Sequence, residues 1–290
     1  MAISDLIGKL FSSNFIAGVE QNTPILSLAN DRSSEVSQRG DGLVIGVTQD
    51  LVSVTDYPAA GTDITYSGLN PSKIEFTLDK KKYIAFGIED IDSAQLSFDL
   101  FSEAARQAGL EFAKQLSADL RATIAAATPA ETYENEIPTN ADDKQTREDL
   151  HFTLLDMKQK LITDGYNAVP VVLMHPSTWK RLMKYIISDN GSSLPTVANR
   201  AFIEGSLSAI YGLDIIVDWG ATIDATDEND NADTYAFIRG RTLTYAGQLS
   251  RVERMRSSGR FATNWRGLQT YGSLIQEPRS LLKLEQTVKS

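Results

Sequence analysis

One apolar stripe dominates the chain. Ile91, Ala94, Phe98, Phe101, Ala105, Ala108 and Phe112 recur at alternating steps of three and four. Leu116, Leu120 and Ile124 extend the series with a one-residue shift. That spacing keeps side chains on one face of an α-helix. Asp92 suits the N-cap, with Gln95 three residues on as in a capping box. Thr128-Pro129 stops the run. The spacing predicts a helix over 93–127, about 50 Å long at ~1.5 Å per residue. Ordinary globular helices average about 11–12 residues. The stripe is rich in Ala and lacks the regular Leu of a coiled-coil seam, so it reads as a helix lying across a sheet.

Around this helix the texture is β. Leu43, Ile45 and Val47 alternate with Val44, Gly46 and Thr48, and Leu51–Tyr57 is a second β-branched run, broken by Pro58-Ala59-Ala60-Gly61. Ile74, Phe76 and Leu78 alternate with Lys73, Glu75, Thr77 and Asp79, the pattern of a half-buried strand. Residues 42–80 therefore read as a long two-stranded excursion. An isolated hairpin is marginal in water, so it needs something to lie on, and a partner subunit is one possibility. Residues 84–88 form another strand.

Beyond the long helix, residues 128–146 are polar and read as a loop. A helix is expected over 146–163, closed by Asp164-Gly165. A buried strand follows at 169–174, then a helix opened by Pro176. Residues 188–198 read as a flexible loop, 201–209 as a short helix, 213–219 and 235–238 as strands, and 224–233 as an acidic loop. The remainder is β-rich and basic, and 243–247 reads as a continuation of the preceding strand. Residues 14–40 are polar and read as an extended arm. Ile3, Leu6, Ile7, Leu10 and Phe11 share a helical face that either packs on its own domain or docks on a neighbouring subunit.

Composition excludes whole classes of function. The 290 residues contain no Cys and two His, His151 and His175. Thiolate nucleophiles, disulfides and Cys-based zinc sites are therefore ruled out. Asp plus Glu is 38 against 28 Lys plus Arg, a net charge of −10. That balance argues against affinity drawn from neutralising nucleic-acid phosphates. No apolar run approaches the ~18–20 residues of a membrane span. Residues 1–18 lack a signal-peptide pattern, because Asp5 and Lys9 interrupt them.

The chemical motifs are sparse. No dinucleotide fingerprint, P-loop, nucleophile elbow or zincin motif occurs. Asp224, Asp227, Glu228, Asp230 and Asp233 lack the EF-hand spacing and read as a solvated loop. Asp90 and Asp92 could form a catalytic carboxylate pair, but helix capping explains Asp92 without chemistry. His175, before Pro176, reads as a hydrogen-bonded structural histidine. No catalytic, cofactor or metal residue is assigned, and the chain reads as non-enzymatic. A carboxylate-based, metal-dependent enzyme using Asp90, Asp92 or the 224–233 cluster is the remote alternative. Arg251, Arg254, Arg256, Arg260 and Arg266 face a single acid, Glu253, in residues 250–267. They read as exposed strand positions, or as partners for acidic surfaces of neighbours, since Arg suits interfacial ion pairs.

Five features in linear order carry a resemblance. They are the polar arm with its β excursion, KKKYIAFGIEDIDSAQLSFDLFSEAARQAGLEFAKQLSADL, VPVVLMHPSTWKRLMK, ANRAFIEGSLSAIYGLDIIVDW and RFATNWRGLQTYGSLIQEPRSL. Over roughly residues 30–285 the chain resembles the major capsid protein of tailed double-stranded DNA phages, with the Hong Kong 97-type α+β fold. The resemblance implies an N-arm at 1–41 and an extended loop at 42–82 that overlaps an adjacent subunit. It implies a peripheral domain at 83–168 and 241–290 with a spine helix at 93–127, and an axial domain at 169–240, with the 188–198 loop near the capsomer axis. The implied function is self-assembly into hexamers and pentamers of an icosahedral head enclosing double-stranded DNA, bound without sequence specificity. Implied partners are other copies of the chain, a separate scaffolding protein, a portal at one vertex and a decoration protein; no cofactor and no membrane enter. The implied location is the virion, and the host cytoplasm during assembly. Candidate assembly contacts are Tyr57, Pro58, Tyr66, Asn70, Lys73, Arg251, Arg254, Arg256 and Arg260. Some family members join a loop Lys to a neighbour's Asn, for which Lys73 and Asn264 are positional candidates, although no Glu is specified to catalyse it. An encapsulin-type compartment is the alternative within the same fold.

Overall fold

The computed structural model describes residues 23–36, 42–47, 72–90, 100–137, 144–184, 209–210, 212–217 and 233–288. The readings at 1–22, 48–71, 91–99, 188–198, 201–208 and 224–232 lie outside them.

Two sheets and one long helix build the core. The helix α1 (Leu100–Ala126) ends where Thr128-Pro129 requires. Its Ala105, Phe112, Leu116, Leu120 and Ile124 are buried, as the stripe predicts. They pack against Val171, Leu173, Tyr235 and Phe237 on one side and Tyr245, Tyr271 and Ile275 on the other. The helix therefore bridges both sheets. A polar row runs beside the apolar one. Asp119 accepts from the Tyr271 hydroxyl, and the Thr123 and Ser273 hydroxyls lie 2.6 Å apart.

The six-stranded sheet has the order β5-β12-β9-β6-β8-β7. Its strands are β5 (Glu131–Ile137), β6 (Pro170–Met174), β7 (Ala209–Ile210), β8 (Leu213–Val217), β9 (Thr234–Ile238) and β12 (Leu282–Val288). Every residue of β6 is buried. Val171 and Leu173 face α1, whereas Val172 and Met174 face the helices α2 (Lys144–Thr163) and α3 (Pro176–Lys184). A strand covered on both faces reads as a continuous apolar run, which is what the sequence shows. Gly165, at φ 88°, closes α2 in the left-handed conformation that glycine adopts without penalty.

One expectation fails here. Residues 131–137 form the edge strand β5, parallel to β12, and not a loop. Glu131 and Glu134 are exposed, and an edge strand tolerates such charges, so the segment carries little apolar signal. Both β5 and β12 lie outside residues 169–240, so the sheet draws on three separate stretches of chain.

The four-stranded sheet has the order β1-β10-β11-β4. Here β1 is Asn30–Asp31, β4 Lys80–Glu89, β10 Leu243–Arg256 and β11 Ala262–Ile275. The basic stretch near the end of the sequence is thus the far half of a hairpin whose arms have 14 residues each, on the order of 45 Å at ~3.4 Å per residue. The register shifts between Leu249 and Arg251, a bulge that changes which parity faces out.

The expected excursion is present at its base. β2 (Gly42–Val47) pairs antiparallel with β3 (Ser72–Thr77), Ile45 opposite Ile74. Ile45, Phe76 and Leu78 are buried with Ala246, which anchors the hairpin on β10.

Candidate assembly surface

The outer face of the four-stranded sheet follows from its register. Tyr83 pairs with Leu268 and Ala85 with Arg266, while Gly87 pairs with Asn264. On β10, Arg251 pairs with Leu268, Glu253 with Arg266 and Met255 with Asn264. Directly paired residues share a face. The alternate residues Ile84 and Phe86 pack toward the α1 core. Tyr83 is nevertheless 78% exposed, Met255 49% and Leu268 39%. At the hairpin end, Phe261 is 82% exposed. Tyr83, Ala85, Glu253, Arg266, Gly267 and Leu268 line a depression of about 510 Å³. Single exposed apolar residues are ordinary, but Tyr83 and Leu268 lie directly opposite each other on this face, and an uncovered apolar group of this kind marks an interaction site.

The depression has a short electrostatic inventory. Arg266 pairs with Glu253 across its floor, and Lys81 is exposed beside it on β4. Gly87 is built for close approach, since a Cβ there would stand 2.7 Å from Oδ1 of Asn264.

The sequence-derived contact residues fall into three groups. Tyr57, Pro58, Tyr66 and Asn70 lie outside the described residues. Lys73 is exposed on β3, opposite Gly46. Arg251, Arg254 and Arg256 lie on β10, and Arg260 is exposed in the turn before β11. Two of these arginines have partners inside the chain. Arg256 pairs with Asp90, its Nη1 donating to Oδ1 at 2.8 Å, and this guanidinium holds the Asp90 carboxyl below the usual carboxylate range. The Arg254 guanidinium lies 5.5 Å from the Trp265 ring centroid, a cation–π distance. Asp90 is thereby tied into an ion pair rather than set beside a second described carboxylate.

Other candidate groups have structural partners. Nδ1 of His175 accepts from the backbone N–H of Ser177 at 3.2 Å and lies 2.8 Å from the Ser177 hydroxyl, capping α3 as a structural histidine. Asp233 of the acidic cluster is bridged by Lys283 at 3.1 Å. Among the described residues, no group of three or more His, Asp or Glu is placed to hold a metal ion.

Sequence reasoning missed Tyr83, Met255, Phe261 and Leu268. A signal was present: in residues 83–88, Tyr83 and Ala85 add apolar character to the parity opposite Ile84, Phe86 and Ile88. A strand apolar on both parities asks for cover on both faces.

The architecture recurs in solved capsids. A chain from Mycobacterium phage Che8 superimposes with a TM-score of 0.68 at 19% identity, covering 90% of each chain. The capsid of cyanophage P-SCSP1u gives 0.68 at 18% identity, over 92% of this chain and 89% of that one. A virus-like particle from Pyrococcus furiosus gives 0.59 at 13% identity, over 94% and 96%. At these identities the likeness establishes the fold, which is the Hong Kong 97-type capsid fold. No curated protein matches the sequence. Residues 72–284 match the family model described as phage capsid protein, and the chain belongs to that family. Its role is structural: it is a major capsid protein, a component of the shell of a virion.

Proposed function

We propose that this chain forms the hexamers and pentamers of a tailed-phage head around double-stranded DNA, and that neighbouring copies interlock through the outer face of the four-stranded sheet. The observation that carries this reading is the uncovered apolar group Tyr83, Met255 and Leu268 on a chain of the capsid family. The occupant we assign is the segment 48–71 of an adjacent copy. It begins and ends at the paired hairpin base, where Val47 meets Ser72. It carries Asp50, Asp56 and Asp63 and no Lys or Arg, complementary to Lys81, Arg260 and Arg266 around the face. Tyr57, Pro58, Tyr66 and Asn70 would supply its apolar and hydrogen-bonding contacts. Interfaces of this wrapping kind exceed the ~1,600 Å² of a standard contact.

In this reading residues 1–41 are the arm and 42–82 the interlocking loop. The unit around α1 is peripheral, and the unit around β6, β8 and β9 is axial. A separate scaffolding protein, a portal and a decoration protein complete the particle, which assembles in the host cytoplasm. The inner wall has no need of tight DNA binding, consistent with the net charge of −10.

Electron microscopy of the purified chain, alone and with its neighbouring viral genes, is the test. Closed shells tens of nanometres across that fill with DNA are the expected result. A discrete monomer or dimer in every condition overturns it, and shells that enclose a protein cargo would reassign the chain to a nanocompartment.

A further inference from the structure

The chain passes directly between the two sheets at two places, which lie side by side. Residues 239–242 lead from β9 to β10, and residues 276–281 lead from β11 to β12. Directional bonds tie these crossings together. The Gln276 N–H donates to the Thr242 carbonyl at 2.8 Å. The Ile238 N–H donates to the Thr242 hydroxyl at 3.1 Å, which lies 2.6 Å from the Ser280 hydroxyl. The Thr244 hydroxyl donates to Gln276 Oε1 at 2.8 Å.

A buried carboxylate sits at the centre. The Glu277 side chain is 6% exposed. It accepts from the Tyr166 hydroxyl at 2.6 Å and from Arg241 Nε. The Arg241 guanidinium also lies 5.0 Å from the Tyr166 ring centroid. Donors from the end of α2 and from one crossing thus converge on an acid in the other. A buried ion pair is weak evidence for stability, because desolvation offsets its attraction. Its better-founded use is to single out one geometry, which non-directional apolar packing does less well. The outer face lies on one sheet, so its orientation relative to the other sheet is carried by this joint together with the non-directional packing of both sheets on α1.

Resting on the shell reading above, we propose that the Tyr166–Arg241–Glu277 clasp sets the angle between the two sheets, and with it the curvature at which copies of this chain close into a shell. Contacts between identical subunits give a closed assembly only where their rotations close, so a joint that narrows the angle within the subunit narrows the set of shells that can form.

The test uses the full chain with Gln159→Cys and Ser258→Cys, exposed positions on the two halves, as spin-label sites; the chain has no cysteine of its own. Paired-label distances and shell diameters are measured in this parent and after Arg241→Gln or Glu277→Gln. The expected result is at least a twofold broader distance distribution in each variant, with shells of several diameters in place of one. An unchanged narrow distance overturns the proposal, and so do broadened distances with shells of the parental diameter. If Glu277→Gln fails to fold, Arg241→Gln decides, because Arg241 is half exposed and tolerant of change. A parent that forms no shells counts against the shell reading, while the distances still decide whether the clasp holds the sheets.

Discussion

Gly272 of β11 lies directly under the carbonyl of Thr77. A Cβ at Gly272 would overlap the Thr77 oxygen and stand 3.2 Å from Phe76 Cζ. This contact seats the β2–β3 hairpin on the four-stranded sheet, beside the buried cluster of Ile45, Phe76, Leu78 and Ala246. Gly272→Ala should therefore lift the hairpin base. Overpacking of this kind typically costs about 1–3 kcal/mol. A urea titration should show that loss, and shell yield should fall with it; a variant with parental stability and yield would show that the seat is slack.

Deleting residues 58–71 should leave the subunit folded and block assembly. The buried anchors Ile45, Phe76 and Leu78 all lie outside the deletion. Circular dichroism reports the fold and electron microscopy the shells. Normal shells from the deletion would end the interlocking role assigned to 48–71.

The outer sheet face should separate assembly from stability. Tyr83→Gln with Leu268→Gln removes apolar area that the single chain leaves exposed. Changes at exposed positions usually stay within about 0.5 kcal/mol each. Subunit stability should move little while shell yield drops at least tenfold. Equal losses in both would mean that the face supports the fold and not the contact between copies.

The α1 stripe should behave as core. Leu116 and Leu120 are fully buried, so Leu→Ala at either should cost about 2–5 kcal/mol. Ala105→Pro, inside the same helix, should cost about 3 kcal/mol or more and abolish soluble protein. A well-folded Ala105→Pro variant would contradict the helix itself.

Alkali should unfold the subunit through its buried tyrosines. Burial, with the nearby charge of Asp31, pushes the Tyr245 hydroxyl up to about 12. Burial, with Asp233, does the same at Tyr235, also to about 12. An unfolded tyrosine titrates near 10. The folded state therefore holds these protons more tightly than the unfolded chain. Their contribution is complete below about pH 10 and is lost as pH rises towards about 12, at most about 2–3 kcal/mol per tyrosine. Urea melts across that range should show the decline, and Tyr245→Phe should flatten part of it.

The periodic elements were legible because burial imposes a period on the residues themselves. The α1 stripe, the β6 run and the alternation of Ile74 and Phe76 each announce a covered face. The strand β5 was not legible, because its register comes from β12, about 150 residues away in sequence, and an edge strand need not be apolar. The Asp90–Arg256 pair and the Glu277 clasp were equally hidden. Each joins groups far apart in sequence, and nothing local in Glu277-Pro278-Arg279 distinguishes a buried acid from a solvated one. Of the candidate assembly surface, the sequence showed the basic β10–β11 stretch but not Tyr83 and Leu268, whose shared face depends on strand pairing.

The position of β12 has a consequence for synthesis. It lies between β5 and β9, so residues 131–238 cannot complete their sheet until residue 288 has left the ribosome. A nascent chain with α1 and five strands of the six-stranded sheet already made still lacks the strand that joins β5 to the rest. The subunit thus becomes competent to meet its neighbours only after its late residues arrive, which guards a protein made to aggregate in an ordered way against doing so on the polysome.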